Sequence, residues 1–164
     1  MKTREFAEQL SLKPESILQT YSNAESLEWA ERWRAVYASG ERASGLARYL
    51  WHTFSSGAYH SVSGEDAEQQ YFGHRYSDVI VLSNDRKTAF RVASLPVSDR
   101  VIDFYVFPPD LAWTMAFTHE DGWLGPYFAK HPDYEVMVEK AKQQRQATDR
   151  KARELERAKQ NGWI

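Results

Sequence analysis

Residues 77–118 read SDVIVLSNDRKTAFRVASLPVSDRVIDFYVFPPDLAWTMAFT, and this stretch decides the fold class. Ser77–Leu82 and Thr88–Ser94 are apolar runs rich in β-branched residues. The five polar residues Ser83-Asn84-Asp85-Arg86-Lys87 between them give a hairpin signal. Arg100–Phe107 reads as a third strand and Ala112–Thr118 as a fourth, with Pro108-Pro109-Asp110 breaking the chain between them. Short connections predict antiparallel pairing, because parallel neighbours need a long crossover. The expected sheet is an antiparallel meander of about four strands.

Outward from this sheet the pattern becomes helical. Leu27, Trp29, Ala30, Trp33, Val36 and Tyr37 recur at helical spacing, so Ser26–Ala38 predicts a helix stopped by Ser39-Gly40. Gly64–Phe72 predicts a short helix opened by Ser63 and closed by Gly73. Phe6, Leu10, Ile17, Leu18 and Tyr21 predict one or two amphipathic helices before Ser22. Leu46–Phe54 is apolar and reads as helix or strand; helix is favoured. Tyr134 to about Gln160 predicts a long helix whose apolar residues thin out beyond Ala141. The class is therefore α+β, with helices packed on one face of the sheet and a long C-terminal helix. Residues 1–132 form the expected compact domain, and 133–164 the long basic helix, partly projecting.

Composition limits the chemistry. The chain has 164 residues, and 14% are aromatic. It lacks cysteine, which excludes disulfides, thiolate metal sites and a thiol nucleophile. The first twenty residues carry charges and no apolar core, so no signal peptide is expected, and no apolar run is long enough for a membrane span. The expected location is the cytoplasm. Net charge is −2, but residues 139–159 hold eight Lys/Arg against four Asp/Glu, which leaves −6 on the rest. An acidic body with a basic tail hints at a partner.

Trp113–Phe128, WTMAFTHEDGWLGPYF, concentrates the polar and aromatic groups that could build a site. His119-Glu120 lacks the second histidine of a His-Glu-x-x-His helix, because the fifth position is Trp123. His52, His60, His74 and His131 stand at no diagnostic metal spacing, and no metal or cofactor is expected. Asp103 sits in an otherwise apolar strand, so it needs a partner; His119, Arg91 and Arg75 are the options. Asp103, His119 and Glu120 are the catalytic candidates, as a general acid–base set. Structural hydrogen bonding explains the same residues. Trp113, Trp123, Tyr127 and His52 are the binding candidates. Gly-x-Ser-x-Gly, phosphate-loop and dinucleotide patterns are absent. The basic tail could meet phosphates, but Asp149–Arg153 and Arg150–Glu154 sit four apart and neutralise each other.

Leu50-Trp51-His52-Thr53-Phe54-Ser55, Asp103-x-Tyr105-Val106, Trp113-Thr114, Thr118-His119-Glu120 and Gly125-Pro126-Tyr127-Phe128 together resemble a family of small bacterial proteins of unknown function, over roughly residues 26–130. The resemblance implies a compact α+β domain and no established activity. It draws His52, Trp113, His119, Glu120 and Tyr127 together as residues that could meet in space. The leading expectation is a non-catalytic protein-binding module such as a toxin-neutralising immunity protein, with a protein partner. The alternatives are a small hydrolase-like enzyme using Asp103, His119 and Glu120, and nucleic-acid binding through the C-terminal helix. A homodimer through that helix is a further option.

Overall fold

A computed structural model describes residues 3–40, 49–74, 78–97, 102–120 and 123–164. The chain divides into two compact units, Met1–Pro132 and Asp133–Ile164. Among the described residues the first unit holds an antiparallel sheet of seven strands. These are β1 (Ile17–Thr20), β2 (Val62–Ser63), β3 (Val79–Ser83), β4 (Ala89–Val92), β5 (Phe104–Phe107), β6 (Trp113–Phe117) and β7 (Tyr127–Lys130). Their order across the sheet is β1-β4-β3-β5-β6-β7-β2.

This corrects the expected meander of about four strands. The four runs read from sequence are β3 to β6, but β5 pairs with β3 (Val81 opposite Val106) and not with β4. The outer edge of β4 is taken by β1, with Thr20 opposite Phe90. β1 lies where a helix was expected. It is an edge strand paired on one side, and its Leu18 is 56% exposed, so it carries no clear two-residue alternation. β2 spans only two residues, and β7 begins inside Trp113–Phe128, the segment that reads as a possible site and not as a strand.

Helices cover both faces of the sheet, which corrects the expected single covered face. α2 (Asn23–Tyr37) and α3 (His52–Ser55) belong to one side. There Trp33, Tyr37, Trp51 and Phe54 share a core with Leu82, Tyr105, Ala116 and Tyr127. α1 (Thr3–Gln9) and α4 (Glu65–Gly73) serve the other. Phe6 stacks on Phe90 at 5.8 Å and meets Phe104 edge-on, while Tyr71 meets Trp113 and Phe117 edge-on. Phe104 and Tyr105 are neighbours on one strand, so their side chains take opposite faces. Double coverage explains why every residue of β3 is buried. Its unbroken Val79-Ile80-Val81-Leu82 run is the pattern of a strand sealed on both sides.

α2 begins three residues earlier than its apolar spacing suggests, because Ser22 and Glu25 form a reciprocal cap. Buried polar bonds then fix its register on the sheet. Trp33 Nε1 donates to Thr114 Oγ1 at 2.8 Å, and the Tyr37 hydroxyl donates to the Leu111 carbonyl at 2.7 Å. In the apolar 46–54 run, Leu46–Arg48 lie outside the described residues; Leu50 and Trp51 form a turn, and His52–Phe54 begin the single helical turn α3. The second unit is α5 (Tyr134–Gln160), the expected long C-terminal helix. Among the described residues no helix is long and apolar enough to cross a membrane.

Candidate functional site

β5 and β6 run antiparallel, with Phe104 opposite Phe117. The residue before β5 and the residues after β6 therefore meet at one end of the sheet. Asp103 sits there, just outside the strand in which it was expected, and His119 lies opposite. The ring Nδ1 of His119 is 2.9 Å from both Asp103 carboxylate oxygens, and its backbone N–H donates to Asp103 Oδ1 at 3.1 Å. Trp51 Nε1 donates to the same oxygen at 2.8 Å. An ionised carboxylate only accepts, so the proton on Nδ1 faces Asp103. Nε2 is then the ring nitrogen turned away, 3.5 Å from Glu120 Oε1. The Asp103 side chain is 14% exposed and that of His119 37%.

Aromatic rings fix the imidazole in place. Tyr49 lies 5.0 Å from His119 and Trp51 6.0 Å, centroid to centroid, and Trp51 stacks on Tyr127 at 6.2 Å. His52 packs edge-on against Trp51 at 4.5 Å. Behind Trp51, its backbone N–H donates to the Tyr105 hydroxyl, which donates to Asn84 Oδ1 at 2.8 Å. Burial pushes the Tyr105 phenol far above its ordinary pKa, so it stays a neutral donor. The Tyr127 phenol is also raised, by burial first and then by the charge of Glu120.

The loop that delivers His119 and Glu120 closes on itself. The amides of Trp123 and Leu124 donate to the Glu120 carbonyl, and Thr118 Oγ1 donates to the Leu124 carbonyl at 2.5 Å. Gly125 follows with φ +93°, and a Cβ there would lie 2.9 Å from Thr118 Cγ2. Thr118 and Gly125 are thus the two halves of one turn.

The named candidates divide into three places. Asp103, His119, Glu120, Tyr127 and His52 gather around Trp51. Trp113 does not join them: it is buried on the opposite face of the sheet, between Tyr71 and Phe128. Trp123 points outward and is 88% exposed. Asp103 chose His119 among its three possible partners. Arg91 pairs instead with Asp78, and Arg75 lies outside the described residues. Trp51 and Tyr49 are the functional neighbours that sequence reasoning missed. The Leu50-Trp51-His52 run was the signal for Trp51; Tyr49 lies just before it. Among the described residues no group of His, Asp or Glu side chains is arranged to hold a metal ion.

A family model described as Domain of unknown function (DUF4275) matches residues 17–128. The chain belongs to this family. No curated protein and no solved structure matches it. The DUF4275 match begins at the first residue of β1 and ends within β7, so it spans the sheet and excludes α1 and α5. It starts earlier than the resemblance at residue 26 suggested, because β1 is an integral edge of the sheet.

Chemically, the Asp103–His119 pair can hold a proton at Nδ1 and exchange one at Nε2. Among the described residues, surface concavities of about 480, 270 and 170 Å³ are lined by other residues. The 270 Å³ notch is lined by Glu65 and Glu68 of α4 and by Trp123, Gly125 and Pro126 of the β6–β7 loop.

Proposed function

We propose that this DUF4275 protein is a non-catalytic binding module that captures a basic protein partner, in the manner of an immunity protein neutralising a toxin. The exposed indole of Trp123 beside two carboxylates carries this reading. The first turn of α4 is acidic at Glu65, Asp66 and Glu68. The helix dipole alone favours acids there. It gives no reason for an indole to stand in water next to them. An aromatic face flanked by carboxylates suits a guanidinium or ammonium group, with cation–π attraction of about 0.5–2 kcal/mol. Tryptophan is also among the residues that dominate binding energy at interfaces. Residues 1–132 carry 13 Lys/Arg against 17 Asp/Glu, so the unit as a whole attracts a basic partner and speeds encounter.

The test is capture from source-cell lysate on the immobilised protein, with nuclease, at low and high salt. Trp123→Ala and the charge reversal Glu65→Lys/Glu68→Lys are run in parallel. The expected result is one stoichiometric basic protein on the wild type, weakened by salt and lost from both variants. That protein should arrest growth when expressed alone, and co-expression of this chain should restore it. A partner held equally by all three surfaces, or none at low salt, overturns the reading.

A second reading rests on the convergence of Asp103, His119 and Glu120. A hydrolase-like acid–base role would use Nε2 of His119 on a bound ester or amide, with Asp103 fixing the ring. It requires turnover in a substrate panel that disappears in both His119→Gln and Asp103→Asn while the fold is kept.

A further inference from the structure

The second unit carries a patterned helix face that nothing covers. No residue of α5 is buried; Val138 is 41% exposed and Leu155 50%. Helices in proteins draw most of their stability from packing an apolar face, and this one, 27 residues long, buries none. The face is regular. Val138, Ala141, Arg145, Thr148, Ala152, Leu155 and Lys159 follow one another at alternating steps of three and four. That is the spacing of a two-stranded coiled-coil seam, in which each helix presents one stripe to the other. The Thr148 hydroxyl already donates to the Gln144 carbonyl at 2.9 Å, so it brings no unpaired group into such a seam.

The order of residues along the seam selects both the occupant and its direction. A second copy of α5, laid antiparallel with Val138 opposite Leu155, also sets Ala141 opposite Ala152 and Arg145 opposite Thr148. Two-fold symmetry repeats each match. The two large apolar residues of the seam meet each other, and the small ones let the middle of the helices come close. Beside the seam Lys142 then faces Asp149 of the second copy, and Arg145 reaches the same carboxylate. Among the described residues, Lys142, Arg145 and Asp149 form no ion pair within their own chain. Glu135 opposite Glu156 is the mismatch of this register, at its two ends. A slip of one heptad either way separates Val138 from Leu155. A parallel pair would set Arg145 against Arg145 and Lys159 against Lys159 within the seam, where like charges repel.

We infer that α5 pairs with α5 of a second copy of this chain as an antiparallel coiled coil, with Val138 on Leu155, Ala141 on Ala152 and Lys142 on Asp149. The seam lies wholly within Asp133–Ile164, so its failure would leave partner capture at Trp123 untouched.

The test is sedimentation equilibrium of the nuclease-treated full-length protein, from micromolar to millimolar concentration. A monomer–dimer equilibrium is expected. Lys142→Glu sets like charges in both flanking pairs and should weaken the dimer about tenfold. Lys142→Glu/Asp149→Lys rebuilds those pairs and should recover it. Glu156→Lys turns the end mismatch into an attraction and should tighten the dimer, which misfolding cannot mimic. Direction is read by disulfide trapping, since the chain has no cysteine of its own. Ala141→Cys and Ala152→Cys variants should link to each other when mixed, and neither to itself. A protein that stays monomeric at millimolar concentration overturns the inference. So does a dimer indifferent to Lys142→Glu and Glu156→Lys, or one that Ala141→Cys links to itself. A dimer that forms only when an oligonucleotide is added also overturns it. Unchanged circular dichroism keeps each variant interpretable.

Discussion

At Gly125 two demands on a single residue coincide. Its φ of +93° disfavours a side chain, and a Cβ would press to 2.9 Å from Thr118 Cγ2 and 3.1 Å from Tyr127 Cε2. Gly57 also has a positive φ, +74°, but open space around it. Gly125→Ala should therefore cost about 2–4 kcal/mol and Gly57→Ala about 1 kcal/mol in urea unfolding. Equal losses would mean that packing at Thr118 is soft. His74 supplies a pH dependence. Burial lowers its pKa below the ordinary value of 6.5; the bond from Nδ1 to the Gln70 carbonyl opposes this, and the Lys130 charge assists it. The folded chain thus holds His74 neutral while the unfolded chain takes up a proton near pH 6.5. The contribution is fully present above that pH and is lost as pH falls through the lower folded value. Unfolding free energy should decline on acidification below pH 6.5, and His74→Phe, which keeps a ring against Phe128, should flatten that slope.

The Ser22–Glu25 cap sets where α2 starts. Glu25 N–H donates to Ser22 Oγ at 3.2 Å, and Ser22 N–H donates to Glu25 Oε2 at 2.7 Å. Ser22→Ala should cost about 1 kcal/mol in chemical denaturation, and Ser22→Asp much less, because aspartate restores the acceptor. This element also shows what a sequence pattern conveys. The apolar face of α2 was legible because it repeats every three to four residues, but that spacing placed its start at Ser26 and not at the Ser22 cap. β3 to β6 were legible as strands because they are apolar runs bounded by turn residues. Strands β1, β2 and β7 were not: β1 and β2 are short edge strands with too few alternating positions to form a pattern, and β7 is buried at three of its four residues, so it shows no alternation.

On the scale of the whole molecule, every residue of the core cluster belongs to Met1–Pro132. We propose that residues 1–132 fold alone. A chain ending at Pro132 should melt cooperatively within a few degrees of the full-length protein; loss of the cooperative transition would contradict this. Composition, spacing and turn residues by themselves determined the α+β class, the antiparallel character, four strand segments and the helices α2, α4 and α5. Each of those follows from local periodicity or from the length of a connection. Only tertiary structure decided the sheet order, the covering of both faces and the separation of Trp113 from His119. Those depend on which edges pair and which face each strand turns to a helix. Asp103 illustrates the boundary. Its need for a partner was evident from the apolar residues around it, yet three partners satisfied that need equally in the sequence. The antiparallel register of β5 and β6 brought His119 to it, because pairing places residues sixteen positions apart at the same end of the sheet.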